Sequence, residues 1–107
     1  IVDVTARVEA LRAMVAEAMV RKAAGNEQLG DASILKLAYA RILRDYADLG
    51  MKLQGIGSQS FGDYVLGAGY ETSNWMFDFM NSYQWNIAGG SNEIQRNIVS
   101  ERVLELP

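Results

Sequence analysis

The residues of this chain best suited to chemistry lie in the run Ala88-Gly89-Gly90-Ser91-Asn92-Glu93-Ile94-Gln95-Arg96-Asn97. A glycine pair breaks the chain, and a helical pattern opens directly after it. Ser91 is a good N-cap, because its hydroxyl can accept from a first-turn amide that has no helical partner. Glu93 falls in that first turn, where the positive end of the helix dipole favours a carboxylate. Neither glycine carries a Cβ, so a bulky group can approach the backbone closely. The pattern is that of a ligand site at a helix N-terminus, with the ligand itself unnamed. Gln95 and Arg96 are expected to project toward whatever lies beyond the glycine pair.

The rest of the composition limits what chemistry is available. The chain has 107 residues, no cysteine and no histidine. Disulfides and cysteine-based zinc sites are excluded, and so are the commonest metal ligand and the commonest general base. No metal is expected. Proton transfer would have to use a carboxylate, a tyrosine or a lysine. A net charge of −3 gives no overall argument for nucleic acid or for an anionic membrane. No apolar run is long enough to span a bilayer, so no membrane insertion is expected. The opening Ile1-Val2-Asp3 has neither an initiator methionine nor a basic leader. It reads as the interior of a longer polypeptide, and the expected location is the cytoplasm.

The elements that must position Ala88–Asn97 all carry helical periodicity. Val4, Val8, Leu11, Val15 and Ala18 form one stripe, with Asp3 or Thr5 as its expected cap and Gly25-Asn26 as its end. A second helix is expected from Asp31, as cap, to about Leu53, with a seam of Leu35, Tyr39, Ile42, Tyr46, Leu49 and Leu53. A second apolar strip of Ile34, Leu37, Ala38 and Leu43 makes this helix apolar over more than half its circumference, so it should pack on two sides. Lys36, among apolar neighbours, is expected to snorkel or to reach a carboxylate. Six glycines between Gly50 and Gly69 predict a long irregular segment, expected to lie over a partner, a ligand or a neighbouring subunit. Thr72-Ser73 can cap a short helix whose surroundings, Trp75, Phe77, Phe79, Tyr83 and Trp85, make the aromatic centre of the chain. These rings serve either as a packing cluster or as a platform for a flat ligand. The last helix runs from Ser91, and Pro107 is expected to end it. The chain is therefore predicted to be all-α, four helices with one long glycine-rich loop, forming part of a single domain over residues 1–107.

The phrase from Ile87 through Ala-Gly-Gly-Ser-Asn-Glu-Ile-Gln-Arg-Asn-Ile-Val-Ser-Glu-Arg-Val-Leu-Glu-Leu to Pro107 strongly resembles the carboxyl-terminal signature of acyl-CoA dehydrogenases. The second helix, with Ala32-Ser33 and Lys36, is similar to a long helix of that family. Leu53-Gln54-Gly55-Ile56-Gly57 stands where the family has a glycine-rich turn against FAD. The resemblance implies an antiparallel, four-helix-bundle-like C-terminal domain, present here without its first helix and without the N-terminal and middle domains. It also implies a flavoenzyme that oxidises the Cα–Cβ bond of an acyl-CoA, a carboxylate taking the α-proton while the β-hydrogen passes as hydride to flavin. Ser91, Asn92 and Glu93 match positions that contact FAD, and Gly90 matches one beside the thioester. Gln54, Gly55 and Gly57 match the glycine-rich turn less closely, because Ile56 interrupts the glycine pair.

Gly89 departs from the pattern, since many relatives carry the catalytic glutamate there. No catalytic residue is therefore assigned to this chain. The resemblance then implies a base upstream of Ile1, or a base-free subunit of a heteromeric enzyme. Heteromeric members resemble this chain in the Ile-Ala-Gly-Gly phrasing and in a serine at the position of Ser82. The implied partners are further subunits of a homo- or heterotetramer, the acyl-CoA substrate and an electron-transfer flavoprotein or similar acceptor. A helical oligomerisation module without ligand is the alternative from a different class.

Overall fold

A computed structural model describes residues 1–59 and 75–106, and within these residues the only regular elements are helical. They are α1 (Val2–Ala23), α2 (Asp31–Gln54), a 3₁₀ turn at Gly55–Gln59, α3 (Trp75–Gln84) and α4 (Asn92–Arg102). The expected Thr72-Ser73 cap and the glycines from Gly62 to Gly69 lie outside the described residues.

The 24-residue α2 is the spine against which the other three helices pack. Helix α1 runs antiparallel to it, because Arg7 meets Asp45 at 2.8 Å and Arg21 meets Asp31 at 2.9 Å. Helices α3 and α4 lie in succession along another side of α2. Trp75 packs on Gly50 and Tyr46, Trp85 on Tyr39, and Val103 beside Gly30. Both therefore run antiparallel to the spine, and the segment joining them crosses its middle near Lys36. The bundle is antiparallel as expected, but its four helices make three rods rather than four.

Small residues, not the large apolar ones, form the deepest layer. Ser33, Ala40, Ala47 and Gly50 are the buried positions of α2, two helical turns apart until the last step. The last of them, Gly50, admits the aromatic face of α3. A Cβ at Gly50 would stand 2.0 Å from the Trp75 ring, so a side chain there is excluded by contact. Helix α2 runs through Gly50 to Gln54, close to the expected end at about Leu53, and only then tightens into the 3₁₀ turn. The aromatic cluster is packing material here. Tyr39–Trp85 and Phe79–Tyr83 meet edge to face at 5.5 Å between centroids.

Three helix ends differ from the expectations. Helix α1 opens at Val2 without a side-chain cap, and Thr5 Oγ1 instead donates to the Ile1 carbonyl at 3.2 Å. Gly30 takes the N-cap position of α2, which moves Asp31 into the first turn. There Asp31 accepts from Arg21 at 2.9 Å and from the Gln28 amide at 3.4 Å. Helix α4 ends at Arg102, well short of Pro107, with the amides of Val103 and Leu104 both donating to the Val99 carbonyl. The Gly25-Asn26 ending of α1 is as expected. The amide of Asn26 donates to Arg21 and that of Gly25 to Lys22, the paired bonds of a Schellman motif.

Helix α1 has no buried residue along its 22 positions, and Met19 and Val20 are more than two-thirds exposed. Among the described residues no helix is long and apolar enough to cross a membrane.

Candidate functional site

After α3 the chain keeps turning. The amides of Asn86, Ile87 and Ala88 donate back to Tyr83 and Gln84, and then two successive glycines take left-handed backbone, φ +70° at Gly89 and +91° at Gly90. A left-handed conformation costs a residue with a Cβ roughly 1–2 kcal/mol, so the sequence places glycine at both positions. Gly90 also lacks room, because a Cβ there would stand 2.8 Å from Gln95 Nε2. Gly89 does not, since a Cβ there would meet nothing within 4 Å.

The carbonyls of this turn are held from inside the fold. Lys36 Nζ donates to the Gly90 carbonyl at 2.8 Å and to Asn92 Oδ1 at 2.9 Å. Gln95, one turn into α4 and buried, donates from Nε2 to the Gly89 carbonyl at 2.9 Å. Asn92 donates from its amide nitrogen to the Asn86 carbonyl at 3.1 Å and from Nδ2 to Asn86 Oδ1 at 2.9 Å. Lys36 therefore neither snorkels nor finds a carboxylate, but ties α2 to the turn. Gln95 folds back instead of projecting past the glycine pair.

Ser91 is the N-cap that the sequence predicts, with extended backbone and its Oγ accepting from the Ile94 amide at 3.4 Å. Glu93 follows in the first turn, its side chain exposed. Its carboxyl titrates below the usual glutamate value, first through a hydrogen bond from its own backbone amide and then through one from the Ser91 hydroxyl. These two bonds outweigh the opposing effect of desolvation, and the charges of Arg96 and Lys36 add smaller contributions in the lowering direction. With the turn's carbonyls drawn inward, Ser91 and Glu93 are the polar groups left at the mouth of α4.

The second group of candidate residues lies elsewhere. Gln54 ends α2, and Gly55 and Gly57 stand in the exposed 3₁₀ turn beyond it. Lys36 and Gln54 are 18 positions apart on one helix, which a rise of 1.5 Å per residue makes about 27 Å. Within this chain the two groups stand well apart, and one compact ligand cannot touch both. Sequence reasoning missed Lys36 and Asn86 as parts of the turn. An amphipathic lysine among apolar neighbours gave a signal for the first, and the second gave none.

The chain matches the family model described as acyl-CoA dehydrogenase, C-terminal domain, over residues 1–104. Proteins named acyl-CoA dehydrogenase IpdE1, from Mycolicibacterium smegmatis and from Mycobacterium tuberculosis, are each 37% identical over 81 residues, or 76% of this chain. The match covers 19% and 20% of those two proteins, so the chain spans about a fifth of the relatives it matches. No solved structure gives a significant match.

Proposed function

The chain belongs to the acyl-CoA dehydrogenase family through its C-terminal domain, and from that premise we propose that it is part of a cytoplasmic FAD-dependent enzyme oxidising the Cα–Cβ bond of an acyl-CoA. In this reading Ser91, Asn92 and Glu93 hold the FAD, which when bound supplies the hydride acceptor, and Gly90 lies beside the substrate thioester. The observation that carries the reading is the mouth of α4. Its carbonyls are turned inward onto Lys36 and Gln95, which leaves the Ser91 hydroxyl and the exposed Glu93 carboxylate at its mouth. The positive end of the helix dipole suits an electron-rich cofactor edge, while the carboxylate suits a donor. The Glu93 carboxylate accepts from a cofactor hydroxyl or amino group, since it would repel a phosphate.

Gly89 has no acid–base group, so the α-proton is taken by a carboxylate upstream of residue 1. Gln54, Gly55 and Gly57, about 27 Å along α2 from Lys36, serve a different part of the cofactor or the cofactor of a neighbouring subunit. The exposed apolar residues of α1 give such a subunit a surface to cover. An electron-transfer flavoprotein or a similar carrier reoxidises the enzyme.

The test is anaerobic addition of acyl-CoA esters to the full-length, flavin-loaded protein. The proposal expects bleaching of the oxidised flavin band with formation of the 2-enoyl-CoA. A protein that takes up no flavin, or flavin that no acyl-CoA reduces, overturns it.

A further inference from the structure

We propose that Arg41, Arg44 and Arg96 form a binding site for a phosphate-type oxyanion, in the groove where α2 faces the start of α4. The groove has a volume of about 500 Å³, and Asp45, Asn86 and Asn92 complete its polar lining. The chain as a whole is acidic, yet three arginines and a single acidic residue line this groove. That carboxylate is already engaged, since Asp45 Oδ2 accepts from Arg7 of α1 at 2.8 Å.

The arginines are not explained by the bonds they make within the fold. Arg41 and Arg44 lie three positions apart on one helix, where like charges are neighbours and destabilise unless a counter-charge stands between them. Arg41 makes no hydrogen bond or ion pair among the described residues. Arg96 reaches Glu93 only at 3.6 Å with both side chains mostly exposed, a contact worth little. Arg44 is held in place. Its guanidinium lies 3.4 Å from the Tyr83 ring centroid and 5.1 Å from that of Phe79, and it donates to the Tyr83 hydroxyl. One of the three cations is therefore pre-oriented by stacking.

The shape and charge of the groove select the ligand class. A guanidinium donates two parallel bonds to a phosphate, and three of them outnumber the charge of a single carboxylate. Asn92, fixed between Lys36 and Asn86, sets the polar floor and joins the groove to the glycine turn. Phosphate and pyrophosphate groups meet these requirements. The groove shares Asn92 with the proposed FAD contacts, but its anion binding is measured without flavin.

Isothermal titration of the full-length protein with inorganic pyrophosphate at constant ionic strength tests the proposal. Saturable binding is expected, weakened about tenfold by Arg41→Gln and again by Arg96→Gln. Arg41→Gln removes no bond among the described residues, so its thermal unfolding should match the parent and its lost affinity cannot be ascribed to misfolding. No saturable binding, or binding unchanged in both variants, overturns the site. Competition identifies the source of the anion. Displacement by coenzyme A assigns the groove to a substrate phosphate, displacement by FAD assigns it to the cofactor, and displacement by neither assigns it to a free anion. Each of the three supports the site.

Discussion

The Lys36 ammonium donates to the Gly90 carbonyl at 2.8 Å, across 54 positions of sequence. With its second bond to Asn92 Oδ1, it fixes the start of α4 and the left-handed glycine turn on the spine helix in one contact. The turn has little packing of its own, so the orientation of its peptide groups depends on this lysine and on Gln95.

Lys36→Met should destabilise the protein by about 2 kcal/mol, the scale of charge-assisted hydrogen bonds lost from a partly buried site. Lys36→Arg should recover part of that loss. Urea unfolding of the three proteins checks the order, and parent-like stability in Lys36→Met would show that the turn holds itself.

Gly50→Ala places a methyl group 2.0 Å from the Trp75 ring. Helices α2 and α3 must move apart, at about 1–3 kcal/mol or more for overpacking. Gly57→Ala, whose nearest atom would be Gln54 Cγ at 3.9 Å, should change stability far less. Thermal melts of both variants, with tryptophan fluorescence reporting the first, make the comparison.

Gly89→Glu tests backbone conformation apart from space. There is room for the side chain, but φ is +70°, so the expected cost is about 1–2 kcal/mol without loss of the fold. Gly89→Asn, with a residue more tolerant of left-handed backbone, should cost less. In the dehydrogenase reading, Gly89→Glu does not raise turnover, because the base stands upstream.

The lowered pKa of Glu93 has a signed consequence for stability. A carboxyl whose folded pKa lies below its unfolded value contributes stability above the ordinary glutamate range. The contribution is lost as pH falls through the lowered folded value. Glu93→Gln should therefore be less stable than the parent near neutral pH, and the difference should close in acid. Denaturation midpoints at matched ionic strength across that range check the sign.

Much of this arrangement was legible from the order of the residues. Periodicity located α1 and α2, since their apolar stripes continue for about four and five turns. Ser91 declared itself as a cap because a hydroxyl there can meet an unpartnered amide. The long-range pairings were not legible. The apolar neighbours of Lys36 mark it as unusual but do not name a carbonyl 54 residues away as its partner, and the buried series Ser33, Ala40, Ala47 and Gly50 is hidden behind larger neighbours on the same helix. Gly50 resembled the glycines of the irregular segment, although its role is to admit Trp75. Asp31 resembled a cap, yet Gly30 occupies that position and Asp31 is drawn to Arg21. The end of α4 at Arg102 depends on how its last carbonyls are capped, which Pro107 does not set.

The affinity of the full-length protein for FAD, measured for the parent and for Glu93→Ala, tests the central claim most directly. Glu93 is exposed, so the variant retains the fold, and the account predicts flavin binding that weakens about tenfold or more on its removal, the scale of one charge-assisted hydrogen bond. A parent that binds no FAD, or a Glu93→Ala protein that binds it with parent affinity, would contradict the assignment of the α4 mouth to the cofactor.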